Sequence, residues 1–284
     1  MSADPALIHR FRGLHDSVTC LAFSGQQQQV GAGSLDHSVF IWSLAAGEQS
    51  SGGKAFRYSG HSDAVLGLSF SPSGRLLASC SRDKTVRIWV NSARAESTDF
   101  KAHSASVRSV EFSPDGQHLL TASDDKSIKF WTLQRHKFTQ SIAEHKNWVR
   151  CARYSPDGRT VASCSDDKTI RLFDERTTEP ICVFQESKGY GNHLAFHPSG
   201  TCLGVGTSDK KVKVYDIRMQ KLQQLYSSHE GPVTQVSVRL AGWGSGARAR
   251  PGPSLGALTI LRFTYRCLSI PLATIWCLPL KMEV

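Results

Sequence analysis

The chain has no C-x-x-C pair among its eight cysteines and no basic start followed by an apolar run. Met1-Ser-Ala-Asp-Pro5 therefore does not read as a signal peptide. The apolar stretch from Leu255 to Leu280 carries Arg262, Arg266, Pro271 and Pro279, and its longest charge-free run, Cys267 to Leu280, is 14 residues. A membrane helix needs about 20. These absences predict no membrane span and a reducing, intracellular setting with free thiols. Cys80 and Cys164 stand at equivalent strand positions and read as small core residues. Glycine-rich stretches occur at Gly31-Ala-Gly33 and Gly242-Trp-Gly244-Ser-Gly246, but neither joins a strand to an amphipathic helix. Neither reads as a phosphate loop. The histidines show no metal-ligand spacing. No cofactor, metal or small-molecule substrate is expected.

Charge excludes less. The net formal charge is +10, but residues 239–284 contribute half of it, with six basic residues against Glu283. The remaining body is mildly basic, which favours acidic partners. It has no Arg/Lys-rich arm with interleaved aromatics, so nucleic acid is not an expected partner.

What the chain does have is a period. Asp36, Asp83, Asp125, Asp167 and Asp209 follow one another at spacings of 47, 42, 42 and 42 residues. Each sits in a near-copy of one phrase, such as Ser81-Arg-Asp-Lys-Thr-Val-Arg-Ile-Trp89 and Asp124-Asp-Lys-Ser-Ile-Lys-Phe-Trp131. Val86-Arg87-Ile88-Trp89 alternates apolar and polar as a strand does. Leu76-Leu77-Ala78-Ser79 reads as a second strand and Val65–Phe70 as a third, with Pro/Gly turns recurring at Ser71–Gly74, Ser113–Gly116, Ser155–Gly158 and His197–Gly200. A fourth strand follows the aromatic, as in Cys182-Val183-Phe184. Four strands per unit with a period in the low forties make the blades of an all-β WD40-repeat β-propeller.

The resulting organisation is an incomplete propeller over 1–238. Blades are expected at approximately 11–56, 57–98, 99–140, 141–182 and 183–224, with a partial sixth at 225–238. His229 lies two periods after His145, and register is lost after Val238. Residues 239–253 are rich in Gly, Arg and Pro. Residues 239–284 are expected to be a divergent, irregular tail that arises from splicing or a gene-model error.

These units resemble WD repeats, in which a His, a Ser or Thr, an Asp and a Trp form a buried hydrogen-bond network. The resemblance implies full sets at His61, Ser79, Asp83 and Trp89, and at His103, Thr121, Asp125 and Trp131. The fourth blade would keep His145, Ser163 and Asp167, with Phe173 for Trp. The first would keep Asp36 and Trp42, with Ala32 and Leu14 in the other slots. The fifth would keep Asp209 alone, with Ser187, Val205 and Tyr215. Blades two and three are therefore expected to be the firmest. A hydrolase triad is a poor reading of His61, Ser79 and Asp83, because the set recurs one period later.

The WD fold also implies a rim, formed by the start of each blade's first strand and the residue before its Asp. Candidates for partner binding there are Arg82, Arg108, Trp148, Arg150 and Tyr190. Trp148, close to Arg150 and Tyr190, has the composition of an interaction hot spot. The competing expectation is that Trp148 packs onto its own blade.

Several phrases are more specific: Phe11-Arg-Gly13, Asp16-Ser-Val-Thr-Cys20, Ser71-Pro-Ser-Gly-Arg-Leu-Leu-Ala-Ser79, Asn147-Trp-Val-Arg-Cys-Ala152 and His197-Pro-Ser-Gly-Thr-Cys202. Over residues 7–238 the chain resembles the centriolar WD-repeat family, the proteome-of-centriole proteins, as a C-terminally truncated or alternatively spliced form. That resemblance implies a non-enzymatic scaffold of centrioles and ciliary basal bodies, supporting centriole integrity and cilium assembly. It implies contacts with centriolar proteins and tubulin. An open ring would add self-association through its exposed edge. The alternatives are a generic WD adaptor, such as a ubiquitin-ligase substrate receptor or signalling scaffold, and, more weakly, an RNA-associated WD protein.

Overall fold

The computed structural model describes residues 11–24, 26–44, 55–92, 94 and 96–238. The tail expected at 239–284 lies outside the described residues. Among them, twenty strands form five four-stranded antiparallel sheets, and the one helical element is a 3-10 turn at Gln134–His136. Blade one contains β1 (Val18–Ser24), β2 (Gln29–Ser34), β3 (Ser38–Ser43) and β4 (Ala55–Ser59). Blade two contains β5 (Val65–Phe70), β6 (Leu76–Ser81), β7 (Thr85–Val90) and β8 (Ser97–Lys101). Blade three contains β9 (Val107–Phe112), β10 (His118–Ser123), β11 (Ile128–Thr132) and β12 (Lys137–Ile142). Blade four contains β13 (Val149–Tyr154), β14 (Thr160–Ser165), β15 (Thr169–Asp174) and β16 (Pro180–Gln185). Blade five contains β17 (Gly191–Phe196), β18 (Cys202–Thr207), β19 (Val212–Asp216) and β20 (Lys221–Tyr226).

Each sheet runs in chain order, so consecutive strands are antiparallel neighbours. The unit boundaries read from the sequence need correcting: each fell inside a fourth strand, which continues to Ser59, Lys101, Ile142, Gln185 or Tyr226. The fourth strands carry the faintest pattern because most of their side chains face solvent, as in β12 and β20.

The core lies between blades. Val86, Ile88, Val107, Val110 and Trp131 share one buried cluster across blades two and three. Ile170, Leu172, Leu194 and Val205 share another across blades four and five. Polar stitches join the inner strands. The Glu111 carboxylate accepts the Tyr154 amide at 2.6 Å, and Ser109 donates to the Ala152 carbonyl at 3.4 Å.

Residues 232–238 lie against blade five, where Val233 and Val236 are buried with Val212. The Val233 amide donates to the Thr207 carbonyl at 3.1 Å, and the Asn192 side chain donates to the Val233 carbonyl at 3.0 Å. Gln235 reaches across to donate to the Leu21 carbonyl of blade one at 3.2 Å. Gly206 makes the approach possible, since a Cβ there would stand 2.7 Å from Val233 Cγ1 and 2.8 Å from Val236 Cγ2. Gly206→Ala should push this segment off blade five and cost about 1–3 kcal/mol, as overpacked sites do. Hydrogen exchange at the Val233 amide checks it: faster exchange is expected, and unchanged protection would contradict the account.

Candidate protein-interaction rim

In blades one to four the turn that carries the repeat aspartate is closed by the aspartate's own side chain, Asp36 accepting the Ser38 amide at 2.9 Å. Asp83, Asp125 and Asp167 accept the amides of Thr85 (2.9 Å), Ser127 (3.1 Å) and Thr169 (2.9 Å), two residues on. The residue between is left-handed in every blade: His37, Lys84, Lys126, Lys168 and Lys210 have φ of 67°, 71°, 71°, 64° and 69°. The side-chain bond stabilises a conformation that a non-glycine residue otherwise avoids.

Behind these turns lie the buried networks. In blade two, His61 Nδ1 is 2.9 Å from Asp83, His61 Nε2 is 2.7 Å from Ser79 Oγ, and Trp89 Nε1 donates to Ser79 at 2.8 Å. One neutral imidazole tautomer completes the chain. Trp89 donates to Ser79, Ser79 donates to Nε2, and Nδ1–H donates to Asp83. Blade three repeats this with His103–Asp125 at 2.8 Å, His103–Thr121 at 2.8 Å and Trp131–Thr121 at 3.0 Å. In blade four His145 bonds Asp167 at 2.8 Å and Ser163 at 2.7 Å, and Phe173 packs edge-on against the imidazole in place of the missing donor.

The partial blades differ. In blade one the His15 backbone amide takes the place of an imidazole and donates to Asp36 at 3.0 Å, beside the Ser38 hydroxyl, and Trp42 donates to the Arg12 carbonyl at 3.3 Å. Blade five holds a substitute that the repeat slots did not reveal. Buried Glu186 accepts from Lys213 Nζ and from the Tyr215 hydroxyl. Burial, then that carboxylate, pushes the Tyr215 phenol well above its ordinary range. Period arithmetic was the available signal, because Glu186 and Lys213 stand one period after the Glu144–Arg171 pair.

These networks predict an acid-sensitive fold. Burial works to raise the Asp83, Asp125 and Asp167 carboxyls, but hydrogen bonds from the histidines and hydroxyls outweigh it. All three lie below the reference 3.8, with Asp167 at about 2. Burial lowers His103 and His145 below the reference 6.5, with their aspartates partly opposing it. A depressed folded pKa means stability that is complete above the unfolded value and lost as pH falls toward the folded one. Between pH 6.5 and the alkaline range where thiols and phenols ionise, thermal melting should hold constant; it should decline below pH 6.5 as the histidines bind protons on unfolding, and steepen below 3.8. A midpoint unchanged between pH 7 and pH 4 would contradict this.

The rim is shaped by a second repeated device. At the start of each first strand the register slips by one residue, leaving Thr19, Leu66, Arg108, Arg150 and Asn192 without a cross-strand partner. A bulge of this kind re-aims the extra side chain. The two rim positions in each blade are hydrogen-bonded neighbours. The amides of Leu35, Arg82, Asp124, Asp166 and Ser208 donate to the carbonyls of Ser17, Ala64, Ser106, Trp148 and Tyr190 at 2.9–3.0 Å.

In blades three and four the bulged residue is an arginine, and the neighbouring turn supplies its counter-ion. Arg108 grips Asp124 through Nε at 2.7 Å and Nη2 at 2.9 Å. Arg150 grips Asp166 the same way, at 2.6 and 2.8 Å. Such forks hold a guanidinium plane in place. Arg108 and Arg150 lie 5.5 and 5.8 Å from the Trp148 ring centre, and Arg150 lies 5.0 Å from that of Tyr190. Arg108, Trp148, Arg150 and Tyr190 thus form one ladder of planar groups across three blades. Trp148 remains 43% exposed while its ring lies beside Arg150 of its own blade and Arg108 of the blade before. Arg82 stands outside the ladder, 56% exposed and only loosely paired with Asp63 at 3.9 Å.

Five four-stranded sheets on an aspartate period, with His–Asp–Trp networks inside the blades, define a WD-repeat β-propeller. The family model described as the IFT122 first beta-propeller matches residues 2–243, and the chain belongs to that family. It is also similar to the periodic tryptophan protein 2 homolog of Neurospora crassa, 37% identical over 84 residues, which cover 29% of this chain and 9% of that protein. Human striatin-4 is 36% identical over 88 residues, covering 29% of this chain and 12% of that protein. The nuclear distribution protein PAC1-1 of Uncinocarpus reesii is 37% identical over 83 residues, covering 28% and 18%. The chain thus spans less than a fifth of the length of each of these relatives. Propellers of this class generally act as protein-interaction scaffolds. Among the described residues no helix is long and apolar enough to cross a membrane, and no group of three or more His, Cys, Asp or Glu residues could hold a metal ion.

Proposed function

We propose that this chain is a non-enzymatic protein-interaction scaffold of centrioles and ciliary basal bodies, and that it holds its partner on the rim of blades three to five. The carrying observation is the ladder of Arg108, Trp148, Arg150 and Tyr190. A half-exposed tryptophan between two fixed guanidinium planes offers a large, rigid surface with little conformational entropy to lose on binding. The centriolar setting rests on the phrases shared with the proteome-of-centriole proteins, and membership of the IFT122 propeller family is consistent with a cilium-related role. Centriolar proteins, tubulin among them, are the partners this reading favours. A substrate-receptor pocket ringed by free arginines is less well supported, because the forks of Arg108 and Arg150 already hold Asp124 and Asp166.

The test is imaging of the intact, fluorescently tagged chain against a centriole marker in ciliated cells, beside Trp148→Ala. The wild-type chain should co-localise sharply. The variant should be diffuse while its melting changes by no more than about 0.5 kcal/mol, as for a surface substitution. A diffuse wild-type signal, or a Trp148→Ala chain that localises unchanged, would overturn the reading.

A further inference from the structure

The loops around the ladder carry charge unevenly. In blades three to five the carboxylates near the rim are engaged, and exposed Glu230, one period after Lys188 on the loop that follows blade five, is the exception. Asp124 and Asp166 hold arginines, Glu144 lies 3.6 Å from Arg171, and Glu186 holds Lys213. Asp125 and Asp167 are turned toward His103 and His145, and Asp209 lies 3.8 Å from Lys211. The lysines on the same loops are not engaged. Lys126, Lys146, Lys168, Lys188 and Lys210 are all exposed, and none has a carboxylate within ion-pair distance among the described residues. Blades one and two differ, presenting Leu35, Ala64 and Leu66 with Asp16 and Asp63 beside Arg82 and Lys84.

We infer that the rim of blades three to five takes an acidic, extended segment of a partner protein, with Trp148 as its apolar anchor and the unpaired lysines as its charge partners. This rests on the scaffold reading above and adds the partner's chemistry. Lys146 and Lys188 stand on the loops that lead to Trp148 and Tyr190, where the neighbouring carboxylates already hold Arg150 and Lys213, so an incoming Glu or Asp meets mainly unmatched positive charge. Lysine is a flexible point charge and accepts carboxylates at varied spacing. Nucleic acid fits less well. The arginine edges that grip phosphate bidentately are occupied by Asp124 and Asp166, whose carboxylates would face a regular run of phosphates.

The test is fluorescence anisotropy on the intact chain. The probes are a fluorescein-labelled peptide of alternating Glu and Gly with one central Tyr, its Lys counterpart, and a labelled oligo-dT of matched length. The Glu peptide should bind, the Lys peptide should not, and affinity should fall as salt rises. Lys146→Glu/Lys188→Glu, confined to exposed side chains, should weaken binding on the order of tenfold at low salt and less at high salt. Trp148→Ala should weaken it on the order of thirtyfold. No binding of the Glu peptide, indifference to the charge reversal, or tighter binding of oligo-dT would overturn the inference. Failure of the peptide while centriolar targeting still depends on Trp148 would leave the scaffold reading standing and remove only the acidic partner.

Discussion

Glu186→Ala is expected to destabilise the protein by about 3–5 kcal/mol, the range for removing one member of a buried ion pair. Glu186 is 3% exposed and Lys213 is 8% exposed. The carboxylate is the counter-ion of Lys213 and the acceptor of the Tyr215 hydroxyl. Alanine leaves a buried ammonium without its counter-ion and a buried phenol without its acceptor. A loss of this size is a large fraction of a typical domain's stability. The paired variant Glu186→Ala/Lys213→Met should recover much of it, because both charges are then gone and an apolar chain fills the space. Denaturant melts of the wild type, the single variant and the double variant decide the matter. A single-variant loss under about 1 kcal/mol would mean that Lys213 swings its ammonium out to water.

The second large effect compares two aspartates at one repeat position. Asp125→Ala should cost on the order of 3 kcal/mol, since His103 Nδ1, the Ser104 and Ser127 amides and both serine hydroxyls lose a charged acceptor. Asp209→Ala should cost under about 1 kcal/mol. In blade five that carboxylate accepts from the Thr207 hydroxyl and pairs with partly exposed Lys211 at 3.8 Å, with no histidine behind it. Matched melts test this inside one protein. Equal losses would show that the aspartate acts through its turn alone and that the network adds nothing.

The parts of this fold legible in the sequence are those written once per period. The aspartates located the turns, and alternation such as Val86-Arg87-Ile88-Trp89 located the third strands. The family's slots named His61, Ser79, Asp83 and Trp89 in one blade and His103, Thr121, Asp125 and Trp131 in the next, and these side chains lie within hydrogen-bond distance of one another. The rim pairing of Arg108 with Asp124 was not legible, because it depends on a one-residue bulge in β9, and a repeat period is blind to register between strands. Glu186 was not legible because the family's slots hold His, Ser and Trp, whereas blade five fills the same place with a carboxylate, a lysine and a tyrosine. The reach of Gln235 to Leu21 joins residues 214 apart and has no local signature. Arg82 shares its repeat position with Asp124 and Asp166, but its blade has Leu66 where theirs have arginines, so it found Asp63 instead.

The central claim is that partners are held on the rim of blades three to five. Its most direct test is site-specific photocrosslinking in ciliated cells. A benzophenone side chain would be placed at position 146, on the loop beside Trp148, or at position 75, on the turn at the opposite end of blade two. The account predicts discrete protein adducts from position 146 that disappear in a Trp148→Ala background, with few from position 75. Equal adducts from both positions, or adducts at 146 indifferent to Trp148, would contradict it.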